Sequence, residues 1–248
     1  YLDKQMSIFD RIIGITLIII KQLLRDHRSI ALIFIAPMIV MSLIGFSFQD
    51  QPETLNRTAP AIIATMCLVF VFMLTGVSFL RERLSGTLDR LLVTSTSKIE
   101  LVFGYLIGFL IFALIQSTII LFFTIYVVGV DYTGKITDAF IILIVLTITS
   151  VSLGIFVSTF AKNEFQVIQF IPILISPQIF LSGIFIPVEQ LPWYFRPISN
   201  IIPLTYANKS LRNIMAGYKI EDVISELGIL ILFAGILLIL AILSVRRN

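Results

Sequence analysis

The chain has 248 residues, of which 58% are hydrophobic and 13% are charged, and its formal net charge is +3. The charged fraction is about half of the roughly 25% found in soluble domains, and a fold of this size cannot bury so much apolar surface in water. A soluble enzyme, a disordered chain and a disulfide scaffold are therefore excluded, and an integral membrane protein is expected.

The first predicted element is an amphipathic helix over about residues 8–29. At 100° per residue, most polar residues between Arg11 and Arg28 fall on one arc, and isoleucine and leucine cover the rest. This pattern is typical of a helix that lies in the headgroup plane of a membrane. A signal anchor is the alternative, but charges interrupt the apolar run and no small-residue cleavage site follows.

Six apolar windows follow, each long enough to cross a bilayer as a helix. The polarity does not alternate as barrel strands would require, so we predict an all-α membrane protein with a single transmembrane domain over residues 1–248. The six predicted spans are Ile30–Phe48, Ala59–Leu80, Leu101–Val128, Asp138–Phe160, Val167–Ile186 and Ser225–Val245.

Lysine and arginine residues indicate the orientation. If both termini are cytoplasmic, twelve of the 18 fall on the inside and six on the outside. This distribution agrees with the positive-inside bias and with an even number of spans. The basic residues therefore indicate topology, and nucleic acid is not an expected partner.

The longest predicted cytoplasmic connection covers residues 81–98. Its leucines follow the spacing i, i+4, i+7 and i+8, which predicts a short helix with one apolar face. Such a helix has no core of its own, so its apolar face is expected to contact the membrane surface or a groove on another protein. Packing against the neighbouring spans is the alternative. The four leucines are Leu84, Leu88, Leu91 and Leu92.

The spans contain scattered uncharged polar residues but no charged residue or histidine in their middles. Ion-coupled carriers normally keep such a group at depth, so an ion-coupled transporter is a weaker alternative. A membrane-embedded lipid-modifying enzyme is another, and it lacks a visible nucleophile and base. Gly104 and Gly108 form a small-xxx-small pair that suits close helix contact, either within the chain or at a dimer seam.

Three later segments have local sequence signals of their own. Residues 129–136 imitate a phosphate-binding loop, but Ile136 stands where a magnesium-binding hydroxyl belongs, so no nucleotide site is predicted. Pro172 and Pro177 predict a kink in the fifth span. Residues 187–220 are too polar and too rich in proline to form a further span, and Trp193 in this region favours a membrane interface.

Two ordered motifs in this chain resemble those of type-2 ABC transporter permeases of the drug- and antibiotic-exporter branch. The first is Arg81-Glu82-Arg83 with Gly86-Thr87-Leu88 and then Leu91-Leu92-Val93-Thr94. The second is Ser182-Gly-Ile-Phe-Ile-Pro187 with Leu191-Pro192, Pro197, Ile202-Pro203-Leu-Thr-Tyr206 and Leu211-Arg212. The resemblance also covers Leu24-Arg25-Asp26 before Pro37. Ser95 departs from the pattern, because many members have proline there.

The resemblance implies that residues 81–98 hold a coupling helix that docks into a cleft of a separate ATPase subunit, with Leu88 and Leu91 facing the cleft. It also implies that residues 8–29 are the connecting helix and that residues 187–220 form short re-entrant outer helices that gate release. The implied coupling residues are Arg81, Glu82, Arg83, Gly86, Thr87, Leu88, Arg90, Leu91 and Leu92. Those of the connecting helix are Lys21, Arg25, Asp26 and Arg28, and those of the outer gate are Pro187, Pro192, Trp193, Pro197, Pro203 and Tyr206.

The expected function is that of a permease subunit of an ATP-driven exporter in the bacterial cytoplasmic membrane. We expect a second permease chain, identical or different, and membrane lipids as its other partners. The chain itself is expected to be no enzyme and to hold no cofactor, since ATP and magnesium would be bound by the partner ATPase. The cargo is expected to be an amphipathic drug, antibiotic, peptide or lipid-like molecule.

Overall fold

The computed structural model describes residues 7–93 and 96–245, and all elements in these ranges are helical. The side chains of residues 28, 29, 89, 92 and 93 are not among those described. The predicted roles of the Arg28 and Leu92 side chains, and the departure at Ser95, therefore lie outside the described part. The helices that follow are named α1 to α11 in chain order.

The described helices have the following bounds: α1 Ile8–Arg25, α2 His27–Ser47, α3 Pro52–Leu84, α4 Thr87–Val93, α5 Lys98–Tyr126, α6 Ile136–Ser158, α7 Glu164–Phe170, α8 Ser176–Leu181, α9 Arg196–Ser199, α10 Pro203–Met215 and α11 Ile224–Ser244. A π-helical turn at Ile171–Ile175 joins α7 to α8, and short 3₁₀ turns occur at Val188–Gln190 and Ile220–Val223.

Within the described residues, six helical segments are long and apolar enough to cross a membrane, which confirms the six predicted spans. The second segment is longer than predicted, because α3 has 33 residues and includes polar residues at both ends. At 1.5 Å per residue its length is about 50 Å, well beyond the ~30 Å of a bilayer core. Pro52, whose missing N–H costs nothing at a helix start, begins α3.

The centre of the molecule is formed by α3, α5 and α6, with the most extensive contact between α3 and α6. Gly76 and Gly154 allow this contact, because a methyl group at Gly154 would lie 3.1 Å from the Gly76 nitrogen. Cys67 is fully buried here, and its sulfur lies 3.1 Å from Ser117 Oγ and 3.4 Å from Thr147 Oγ1.

Helix α1 packs lengthwise along the first half of α5. Arg11 contacts Glu100, Ile15 faces Gly104 and Ile19 faces Gly108, so the residue numbers rise together and the two helices run in the same direction. The buried face of α1 is Ile15, Thr16, Ile19 and Leu23. The sequence predicted that α1 lies in the headgroup plane. It gave no signal that α5 covers this buried face of α1.

The helices give the bundle two ends, which we name by one residue each. The Gly86 end holds the start of α1, the end of α3, α4, the start of α5 and the connection between α6 and α7. The Trp193 end holds the start of α3, the connection between α5 and α6, and residues 182–223. At the Trp193 end α10 is buried against α3, α6 and α11.

The fifth membrane segment is irregular where the sequence predicted a kink. Pro172 stands at the start of the π-helical turn and Pro177 at the start of α8. Proline cannot donate the regular helical hydrogen bond, so the local bonding pattern shifts by one residue. Only 17% of this segment is buried in the chain, compared with 61% for the segments formed by α3 and α6.

Candidate functional site

The turn between α3 and α4 depends on Gly86. This residue has φ +73°, and a Cβ placed on it would have no neighbour within 4 Å. Glycine is favoured at this position because the backbone is left-handed, not because the space is limited. Ser85 N–H donates to Arg81 O at 2.9 Å and Gly86 N–H to Arg83 O at 3.2 Å, which ends α3.

Helix α4 is present as predicted, but its orientation differs from the expectation. Leu88 is only 3% exposed and belongs to the hydrophobic core, and Leu91 packs against that core. Leu88 therefore does not face outward toward a partner, because the chain's own helices cover it. Among the described side chains from Leu84 to Leu91, those of Leu84, at 59%, Ser85 and Arg90 are exposed.

Arg83 ties the end of α3 to the end of α6. Its Nη1 donates to the Thr159 carbonyl and its Nη2 to the Ala161 carbonyl. These carbonyls follow the last turn of α6, where helical partners are missing and the helix dipole favours a cation. A movement of the α3 end is thereby connected to α6.

Arg81 joins three elements at the same end. It forms two hydrogen bonds with Glu164 at the start of α7, at 2.7 and 3.0 Å. A third runs from Nη1 to Asp26 Oδ2 at 3.1 Å, at the junction of α1 and α2. Between 36% and 48% of each side chain is exposed, so these ion pairs fix geometry more than they add stability.

Sequence reasoning missed the buried carboxylate of Glu100, which is 5% exposed. Arg11 donates to both of its oxygens, at 3.1 and 2.8 Å, and Ser97 N–H donates at 2.9 Å. The Ser97-x-x-Glu100 spacing is a capping box and was a readable signal for the start of α5. The partner Arg11 is 89 residues away, so the pair itself had no local signal.

The other predicted coupling and connecting residues are dispersed around this end. Lys21 and Arg25 are exposed on α1. Thr87 Oγ1 lies 2.9 Å from Ser85 Oγ in the turn before α4. Glu82 faces inward toward Tyr105, and among the described residues its Oε2 has no hydrogen-bond partner.

The structure places Gly104 and Gly108 against α1. A methyl group at Gly104 would lie 2.6 Å from Ile15 Cβ, and one at Gly108 would lie 2.9 Å from Ile19 Cβ. The sequence left open whether Gly104 and Gly108 contact a helix of the same chain or a second chain. In the described residues they pack against α1 of the same chain.

Most uncharged polar residues of the spans lie inside the chain. Hydroxyls on α5 and α6 donate to carbonyls three or four residues earlier in their own helices, as Thr147 does to Leu143 O at 2.6 Å. Gln116 is fully buried, and neither atom of its amide has a partner among the described residues. Gln169, in the sparsely covered fifth segment, is exposed. The residues that bond within their own helices are Ser117, Thr118, Thr147, Thr149, Ser150 and Gln178.

The predicted outer-gate residues do not form one cluster. Pro187 and Tyr206 line a common cavity, and Tyr206 OH donates to Asn200 O at 2.8 Å. Pro203 is buried at the start of α10. Pro192 and Pro197 are exposed, and Trp193 is 79% exposed beside Tyr194, as expected of an interface anchor.

Comparison with protein families gives one match over most of the chain. Residues 14–216 match the family model described as ABC-2 type transporter. The match includes α3, α4, α5, α6 and α10 and therefore the parts of the Gly86 end that these helices form, but not the start of α1.

Curated relatives come from bacteria and a slime mould. ABC transporter G family member 20 of Dictyostelium discoideum is 30% identical over 167 residues, which are 67% of this chain and 23% of the relative. The probable multidrug ABC transporter permease YbhR of Escherichia coli (strain K12) is 28% identical over 147 residues, 59% of this chain and 40% of the relative. The linearmycin resistance permease protein LnrN of Bacillus subtilis (strain 168) is 25% identical over 195 residues, 77% of this chain and 50% of the relative. The chain thus spans between about a quarter and half of the length of these relatives.

Proposed function

The chain belongs to the ABC-2 type transporter family, and from this we propose that it is the membrane-spanning permease of an ATP-driven exporter. The observation that carries the proposal is the family match over residues 14–216. The transport step would be performed by this membrane domain, while ATP and magnesium would be bound by an ATPase subunit. In ABC systems, ATP is used by such a partner.

The proposed topology places both termini and the Gly86 end in the bacterial cytoplasm. Arg81, Arg83, Arg90 and Lys162 all lie at this end, and the positive-inside bias supports the assignment. The Trp193 end would then face outward. There, the short elements between residues 187 and 220 would re-enter the outer part of the membrane and gate release.

The proposed coupling element is α4 with the turn that precedes it. The exposed residues Leu84 and Arg90 are the surface that a partner can reach, while buried Leu88 anchors α4 to the bundle. A push on α4 would reach α6 through Arg83 and would reach α7 and the α1–α2 junction through Arg81. Such contacts can convert a local displacement into a rearrangement of whole helices.

We assign α1 the role of connecting helix. Its buried face packs on α5, and its outer face exposes Phe9, Ile13 and Leu17. An exposed apolar face beside basic residues suits the boundary between headgroups and acyl chains. We place the start of α1 at that boundary, from which the helix follows the first half of α5 toward the membrane interior.

The transport route is proposed to form between two permease chains, identical or different. The support is the sparse cover of α2 and of the fifth segment, each 17% buried, together with exposed Gln169. A polar amide in contact with lipid is unfavourable, so a second chain or a cargo path is the better neighbour. The names of YbhR and LnrN support a drug or antibiotic as cargo.

The test uses the complex of this chain with its ATPase, reconstituted in vesicles. Arg90→Glu and Leu84→Asp alter exposed coupling residues, and we expect both to remove cargo-stimulated ATP hydrolysis while leaving membrane insertion unchanged. Lys162→Glu is the matched control, since it reverses an exposed charge at the same end but outside α4. Full stimulation in both variants, or cargo movement without nucleotide, would contradict the proposal.

A further inference from the structure

A cleft of about 340 Å³ opens at the Trp193 end, away from the coupling element. It lies between the start of α3, the connection from α5 to α6 and the end of α10, and this volume is in the range of small-molecule sites. The residues that line it are Asn56, Arg57, Asp131, Thr133, Arg212, Met215 and Ala216.

Two arginines face this cleft. Arg57 is exposed and, within the described part of the chain, forms no ion pair. Arg212 is partly buried, and its Nη2 donates to Gly183 O at 3.0 Å. Its Nε is buried and has no hydrogen-bond partner among the described residues. The lining therefore includes the exposed guanidinium group of Arg57, which has no ion-pair partner among the described residues.

The two positive charges influence each other. Burial lowers the pKa of Arg212, the nearby charge of Arg57 lowers it further, and Glu189 acts in the opposite direction. Like charges brought together at a partly buried position are unfavourable unless an anion lies between them. Because both side chains line the same cleft, an anion bound there would face two positive groups.

The other polar groups of the cleft are already paired. Asn56 Nδ2 donates to Asp131 Oδ2 at 2.6 Å, and Asp131 N–H donates back to Asn56 Oδ1 at 3.0 Å. The Met215 carbonyl, near the negative end of α10, accepts from Thr133 N–H at 3.1 Å and from Thr133 Oγ1 at 3.2 Å. Hydrogen bonds from neutral groups leave the charge of Asp131 in place, so two arginines against one aspartate give the lining residues a formal charge of +1.

We propose that this cleft binds a phosphate group, which Arg57 and Arg212 hold between their guanidinium groups. Guanidinium matches the geometry of tetrahedral oxyanions and forms short, charge-assisted hydrogen bonds with them. Two sources share this chemistry: the headgroup of an anionic phospholipid and free inorganic phosphate. The site goes beyond the proposed transport function and does not require an ATPase partner.

The experiment uses the whole chain, purified in a neutral detergent. The probes are short-chain phosphatidylglycerol, the matching diacylglycerol without phosphate, and inorganic phosphate. Native mass spectrometry counts bound ligands, and thermal unfolding measures stabilisation. We expect phosphatidylglycerol or phosphate to bind more tightly than diacylglycerol. Binding of phosphatidylglycerol alone would identify a lipid site, whereas competition by inorganic phosphate would identify a site for the free anion.

Arg57→Gln is the main variant, because Arg57 is exposed and its loss leaves the fold's hydrogen bonds intact. We expect it to weaken binding about tenfold or more, as loss of a charge-assisted hydrogen bond does. Arg212→Lys keeps the charge but not the planar fork, and it should weaken binding as well. Lys135→Gln is the matched control, since Lys135 is exposed at the same end and lies outside the cleft.

Two results would overturn the proposal. One is equal affinity for diacylglycerol and both phosphate-bearing probes. The other is an Arg57→Gln variant that binds as well as Lys135→Gln. If Arg212→Lys fails to fold, the comparison between Arg57→Gln and Lys135→Gln still decides the question.

Discussion

Replacing Gly104 by alanine should separate α1 from α5. The new methyl group would lie 2.6 Å from both Cβ and Cγ2 of Ile15, and these atoms are fixed close to the α1 backbone. Because ordinary contacts begin near 3.4 Å, α1 would have to move outward by about 0.8 Å. The same change at Gly108 requires about 0.5 Å, because its nearest Ile19 atoms are 2.9 Å away.

This displacement would also break polar contacts between the two helices. Thr16 Oγ1 lies 3.2 Å from Gly104 O, and a rigid shift would lengthen this distance to about 4 Å, beyond hydrogen-bond range. Overpacking of this kind typically costs about 1–3 kcal/mol. We therefore expect the protection of α1 amides against hydrogen exchange to fall about fivefold to 150-fold in Gly104→Ala, and less in Gly108→Ala.

The measurement is hydrogen exchange of the whole chain in detergent, read by mass spectrometry on α1 peptides. Gly14→Ala is the control, because Gly14 lies on the same helix and a methyl group there meets no atom within 4 Å. It should raise α1 protection slightly through helix propensity. Unchanged α1 protection in Gly104→Ala, together with loss of a dimer, would show that the glycines contact a second chain and that the packing argument is wrong.

Further predictions concern the two ends of the bundle. Gly86→Ala should disfavour the α3–α4 turn by about 1–2 kcal/mol, because Gly86 has φ +73°, and should increase hydrogen exchange of the α4 amides. Gly14→Ala should leave α4 exchange unchanged, and equal α4 exchange in the two variants would contradict the argument from the Gly86 backbone. Arg83→Lys should lower the unfolding temperature, because lysine cannot serve both carbonyls at the end of α6; an unchanged temperature would refute that role. The hydrogen bond to Glu226 raises the pKa of Lys209 above its usual 10.5, so the stabilisation by this pair should be present at pH 7 and 9, where both groups are charged, and be lost as the pH rises above 10.5. Thermal unfolding of Lys209→Met and the unsubstituted chain at pH 7, 9 and above 10.5 checks this, and a difference already lost at pH 9 would refute it.

The membrane spans were predictable because hydropathy depends on composition within a window. All six segments appear within a few residues of the predicted bounds, apart from the extensions of α3. The extensions escaped prediction because residues 52–58 and 81–84 are polar and a hydropathy window ends where polarity begins. The start of α5 was readable in principle from the Ser97-x-x-Glu100 capping box.

The orientation of apolar faces was not predictable from the same sequence. The leucine spacing correctly predicted α4, but spacing cannot tell whether the neighbour is the same chain or a partner, and Leu88 turned inward. The amphipathic pattern of α1 is equally compatible with a lipid surface and with α5. Pairs such as Arg11 with Glu100 join residues 89 positions apart, so only the tertiary fold brings them together.

The length of α3 has a mechanical consequence. A rod of about 50 Å that pivots near its middle moves each tip by about 4 Å when it tilts by about 10°. One tip carries α4, and the other carries Asn56 and Arg57, which line the cleft at the opposite end. A small displacement of the α4 end of α3 would thus also move the residues that line the cleft at the other end.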